Sequence, residues 1–174
     1  MGEEEIMEVR IIRSRRRRRT ISARIVKDTL LVSAPQFLPP ERLEKIISGF
    51  KVKFERKKIK EELDRSQDLK EIAASLNERF FGNKLKINSI EYVTGQNRKY
   101  GCCNYRTADI RISHRIGLMP QWVRDYVLIH EMAHLIEPNH SKDFWDIVSR
   151  YELAERAKGF LMGAGFDAGV NDGK

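Results

Sequence analysis

The 174-residue sequence predicts an α+β fold, and three observations carry that expectation. Short stretches of alternating apolar and polar residues stand at the head of the chain and again in its middle, as half-buried strands require. Longer segments repeat their apolar residues at helical spacing. Apolar content of 41%, with no apolar run of about 18 residues, fits a globular chain with a real core and no membrane span. The length suits a single domain over residues 1–174, with residues 1–40 as a basic β subdomain and 41–174 as the helical and metal-site part.

Glu8 to Ser14 and Thr20 to Ala34 read as strands. Val9 and Ile11, then Ile21, Ala23 and Ile25, alternate with polar residues, the pattern of a half-buried antiparallel sheet with a tight turn at Lys27-Asp28-Thr29. Pro39-Pro40 suits the first turn of a helix. From Glu41 to about Leu63, Leu43, Ile46, Ile47, Phe50 and Phe54 keep helical spacing; a second helix over Asp68 to Phe80 aligns Leu69, Ile72, Ala73, Leu76 and Phe80 and ends at Gly82-Asn83. Residues 85–93 read as a strand. Tyr100 to Tyr105 and Ala108 to His114 form a hairpin that turns at Asn104 to Thr107. Pro120 opens a helix whose Trp122, Val123, Tyr126, Val127 and Ile129 leave it largely buried. Ser141 caps the next one, and a last helical piece starts at Leu153.

The buried helix carries the densest chemistry of the chain. His130-Glu131-Met132-Ala133-His134 is an H-E-x-x-H motif: residues four apart on a helix project their imidazoles from one face, and the carboxylate beside them can act on a water held there. Catalytic zinc takes three protein ligands and leaves a position for water. Pro138 disfavours helical geometry at Glu137, Asn139 tolerates a left-handed exit, and His140 follows and can swing back to the metal. The expected ligands are therefore His130, His134 and His140 around one catalytic Zn2+, with Glu131 as general base. Glu137 either orients an imidazole or faces water. A structural zinc site would close the position that this ligand set leaves open.

The two cysteines, Cys102 and Cys103, are adjacent and cannot staple distant segments; they read as buried strand thiols, with metal-binding or redox-active thiols as the alternative. With the acidic start, unlike a signal peptide, they point to a reducing cytoplasm. The net charge of +8 is uneven: residues 1–20 hold seven arginines against four glutamates, and residues 41–60 eight lysines or arginines against three glutamates. A solvated basic face accounts for this. The alternative is a nucleic-acid-associated protein whose basic segments bind phosphate weakly and without sequence preference, with or without protease activity.

The residues from Arg98 to Cys103, Ile110 to Ser113, Trp122 to Ser141 and Phe144-Trp145 resemble the YgjP-like predicted metal-dependent hydrolases, a branch of the zincin superfamily near the SprT-like proteases. Tyr151 to Leu161 resembles one subgroup, and the Arg-rich strands before Val32 to Pro35 are similar as well. The resemblance implies a small antiparallel sheet packed on the metal helix, zinc on the three histidines and Glu131 as the catalytic carboxylate. The motif's chemistry reads as a zinc-dependent hydrolase, a peptidase on a peptide or protein substrate, with an amidase as the alternative. It departs at Tyr100 to Cys103, where the family often has Trp-Gly-Ser-Cys. The spacing of the histidines also matches metzincins, with Glu137 in place of their glycine; Met162 is the one methionine after His140 that could supply their methionine turn. Arg98, Tyr100, Tyr105 and His114 are candidates to stabilise a developing oxyanion.

Overall fold

The computed structural model describes residues 8–27, 29–96 and 99–165. Asp28, Arg98 and the tail from Phe166 lie outside them. In chain order the elements are β1 (Glu8–Ser14), β2 (Ser22–Val26), β3 (Thr29–Pro35), α1 (Pro40–Ser66), α2 (Leu69–Phe81), β4 (Ser89–Val93), β5 (Gly101–Asn104), β6 (Asp109–Ser113), α3 (His114–Gly117), α4 (Gln121–Ala133), α5 (Lys142–Val148) and α6 (Ala154–Gly163). The fold is mixed α+β, with two small sheets among the described residues. None of the described helices is long and apolar enough to cross a membrane. The chain divides into two compact units, residues up to Lys57 and from Lys58 onward.

In the first unit the strand order is β1-β3-β2. Leu30, Val32, Ala34 and Leu43 form its core, joined by half-buried residues that include Val9, Ala23, Ile47, Phe50 and Phe54. β2 runs antiparallel to β3, but β1 pairs with β3 in parallel, Val9 opposite Leu30 and Ile11 opposite Val32. Alternation in sequence reports which face a side chain takes and is blind to strand direction, so the antiparallel expectation fails at this pair. The arginine run lies in the β1–β2 connection, exposed except at Arg17. Arg15 Nε donates to Gln36 Oε1 over 3.0 Å.

The second unit has a sheet of order β4-β6-β5, again mixed: β4 is parallel to β6 and β5 antiparallel to it. The β5–β6 hairpin turns where expected. Asn104 Oδ1 accepts from Arg106 N and Thr107 N, and Ala108 takes a φ of 56°. β4 is shorter than the pattern of residues 85–93 suggests. Asn77 of α2 takes both polar groups of Leu85, its Nδ2 donating to the carbonyl at 2.8 Å and its Oδ1 accepting the N–H at 3.2 Å. That backbone therefore pairs with a side chain instead of a strand. α2 itself begins on Asp68, whose carboxylate accepts from Lys70 N and Glu71 N, and ends on left-handed Gly82 with φ 59°.

α4 lies at the centre of the second unit, in contact with β5, β6, α2, α3, α5 and α6. Val123, Leu128, Ile129, Met132 and Ala133 are fully buried, with Val127 almost so. Tyr151 anchors the start of the helix by donating its hydroxyl to the Trp122 carbonyl over 3.0 Å. Gln67 ties the far end of α1 to it: Tyr92 Oη and Arg124 Nη1 both donate to Gln67 Oε1, at 2.7 and 3.1 Å. A helix held on so many sides presents its polar residues in one fixed geometry.

Candidate metal centre

His130 projects from the last turn of α4, and His134 is the residue that closes the helix, still in helical conformation at φ −64°. The helix stops four residues before Pro138. Leu135 N donates to Met132 O, and Ile136 N and Glu137 N both donate to Ala133 O, so a tightened turn uses up the last carbonyls. Asn139 is absent from the positive-φ residues, and the left-handed exit expected there does not occur. The segment from Leu135 to Asn139 carries His140 back to the helix. Ser141 then caps α5, accepting from Phe144 N at 3.3 Å.

The result is that the three imidazoles meet. Each offers a ring nitrogen, and these atoms lie within 4.8 Å of one another, the one cluster of its kind among the described residues. His130 Nε2 and His140 Nε2 face each other at 3.1 Å. Two nitrogens bound at about 2.0–2.1 Å to one tetrahedral ion stand roughly 3.3 Å apart, so this spacing suits a shared cation. His134 Nδ1 lies 3.2 Å from the Glu137 carbonyl oxygen. A carbonyl can only accept, so Nδ1 carries the proton and Nε2 keeps its lone pair for a metal. The Glu137 group that orients this ring is thus its main-chain carbonyl.

The surroundings favour neutral rings. Burial holds His130 far below its usual range, at about 3, helped by His134, His140 and Lys158. Burial also lowers His134. Imidazoles in their unprotonated form are a donor set that fits a divalent metal such as zinc. Phe144, fully buried on α5, is the floor of the cluster: its ring stacks on His134 at 4.5 Å and meets His140 and His130 edge-on at 4.7 and 4.9 Å. Trp145 stacks on His140 at 5.5 Å, and Lys158 of α6 places its Nζ 4.5 Å from the Trp145 ring centre. Periodicity marks Phe144 as a core residue and the family resemblance includes it beside the histidine motif, but its contact with the imidazoles, like the place of Lys158, is legible only in the structure.

Glu131, next to His130 on α4, is only 6% exposed. Burial pushes its carboxyl up to about 8, with the Lys99 charge opposing. His114 is buried at the start of α3, its Nδ1 3.3 Å from the Val93 carbonyl. Tyr105 is exposed on the hairpin with Arg106 over its ring. Arg98 is outside the described residues, and Tyr100 is half-buried beside β5. Met162 is 64% exposed on α6, which removes it as a methionine turn beneath the metal. The two cysteines are free and only half-buried, less enclosed than the buried strand thiols the sequence suggests. Burial, followed by the charge of Glu131, pushes the Cys103 thiol up to about 12.

A buried helix bearing histidines four apart, closed by a third from the following turn, is an arrangement of the metallopeptidase class. The chain belongs to the YgjP-like family, whose metallopeptidase-domain model matches residues 52–154 and so takes in all three histidines and Glu131. Among solved structures, the chain is similar to the metallopeptidase zymogen abylysin of Pyrococcus abyssi, at 18% identity and a TM-score of 0.47, over 56% of this chain and 94% of that one. No curated protein sequence matches the chain.

Proposed function

We propose that this protein is a zinc-dependent peptidase in which His130, His134 and His140 hold one catalytic zinc ion and Glu131 is the general base. The observation that carries the reading is the convergence of three imidazole nitrogens within 4.8 Å at the end of a helix that also bears Glu131. When bound, zinc supplies a Lewis acid and a water of lowered pKa. The protein's own groups do the rest. Glu131 accepts the proton of the attacking water and passes it to the leaving amine. The Glu137 carbonyl fixes the His134 tautomer, and Phe144 and Trp145 keep the rings in place and exclude water from one side of them. β5 pairs with β6 on one side only among the described residues. Its other edge suits an extended peptide, which would add as a strand and run its main chain past the site.

Metal analysis of the purified protein tests this reading. Wild type carries about one zinc per chain, Glu131→Gln keeps it and loses hydrolysis of an unfolded protein such as casein, and His140→Ala binds zinc at least tenfold more weakly. Full zinc affinity in His140→Ala refutes the third ligand. Casein cleavage by Glu131→Gln at the wild-type rate refutes the general base.

A further inference from the structure

Gly101 opens β5 and is buried against α4. Glycine inside a strand costs about 0.5–1 kcal/mol relative to alanine, and where it persists it marks a bend or a close approach. Its backbone is not among the positive-φ glycines, so conformation does not require it. Space does. A Cβ on Gly101 would lie 2.9 Å from both Glu131 Cγ and Glu131 Oε1, and 3.0 Å from the Arg111 carbonyl oxygen. The strand cannot retreat to make room. Ser113 N donates to the Tyr100 carbonyl at 2.7 Å, and Gly101 itself pairs opposite Ile112 of the central strand. Nor can the carboxylate swing out freely, since Glu131 is enclosed.

We propose that Gly101 is a positioning residue for Glu131: the absence of a side chain at this point of β5 forms the seat that holds the carboxylate in its place on α4. This rests on Glu131 being the general base. Any side chain at 101 drives the carboxylate from that seat while leaving the three histidines, none of them among the nearest atoms that a Cβ would meet, able to bind metal.

The experiment compares Gly101→Ala with Gly117→Ala in the full chain. Gly117 is an equally crowded control: its Cβ would meet Leu63 Cδ1 at 2.7 Å and Tyr92 Cε1 at 3.0 Å. Each is made in the native background and with Glu131→Ala, and melted after removal of metal with EDTA. Gly101→Ala should lower Tm by roughly 4–10 °C in the native background and by less than half of that with Glu131→Ala. Gly117→Ala should cost the same in both. If Gly101→Ala fails to fold in the native background, folding of the double variant supports the seat and failure of both overturns it. Equal losses in both backgrounds also overturn it, since the strain would then lie in the Arg111 carbonyl. The second readout is the visible absorption spectrum of the Co2+-loaded proteins. Gly101→Ala should bind one Co2+ and show the band shift of Glu131→Gln, whereas Gly117→Ala keeps the wild-type band. A wild-type band in Gly101→Ala refutes the positioning role. Failure of the wild type itself to bind Co2+ defeats the metal reading instead, and the melting comparison still decides the seat.

Discussion

Phe144 sets its ring against all three imidazoles, and Phe144→Leu separates its two contributions. Leucine retains most of the apolar volume at a fully buried site, so the packing loss is about 1–2 kcal/mol. The ring contacts are lost outright: a stacked pair with His134 and edge-on pairs with His130 and His140, all with centroids closer than 5 Å. Each is worth about 0.5–1.5 kcal/mol when both rings are uncharged, and burial keeps His130 neutral here. A part of that sum falls on the precision with which three ligands converge, and outer contacts of metal ligands typically govern 10–100-fold in affinity. We expect the zinc Kd of Phe144→Leu to rise at least tenfold, measured at pH 7.5 by competition with a chromophoric chelator, alongside a lowered Tm of the metal-free protein. Leu161→Ala, a core change on α6, should cost about 2–5 kcal/mol of stability and leave the zinc Kd intact. A zinc Kd of Phe144→Leu within twofold of wild type would refute the argument that this ring organises the ligands.

Two further predictions concern titration. In the metal-free protein Glu131 titrates near 8, above the unfolded carboxyl at about 4.5, so the folded state binds the extra proton between those values and stability falls as pH rises through the window. His130, lowered to about 3, opposes this only below its unfolded value of 6.5. Between pH 6.5 and 8 the Glu131 effect should therefore show by itself, as a loss of up to about 2 kcal/mol in EDTA-treated protein that Glu131→Gln abolishes; a pH-independent wild-type Tm over that range contradicts it. Cys103, pushed up to about 12, should react with iodoacetamide at pH 8 on the order of 10²–10³-fold more slowly in the folded than in the urea-unfolded protein, read by mass spectrometry of the labelled peptide. Rapid labelling of Cys103 in the native state would count against its raised thiol pKa.

The sequence by itself determined the elements and the chemical vocabulary. Helical periodicity gave α2 and α4, and local signals placed the Ser141 cap, the Gly82 stop and the Asn104 turn within a residue or two, because capping and turn chemistry act over three or four neighbours. Spacing brought His130 and His134 to one face of one helix, and the break before Pro138 made His140 available. Tertiary structure decided what depends on residues far apart in the chain. It set β1 parallel to β3 and β4 parallel to β6, which alternation does not encode. It ended α4 through its own carbonyls at Ala133, well before the proline. It put Phe144 beneath three imidazoles, Lys158 above Trp145 and a bare glycine against Glu131. A motif specifies which atoms can bind and transfer a proton; the distances between them, and the burial that keeps His130 unprotonated and Glu131 enclosed, arise only when separate segments pack around one helix.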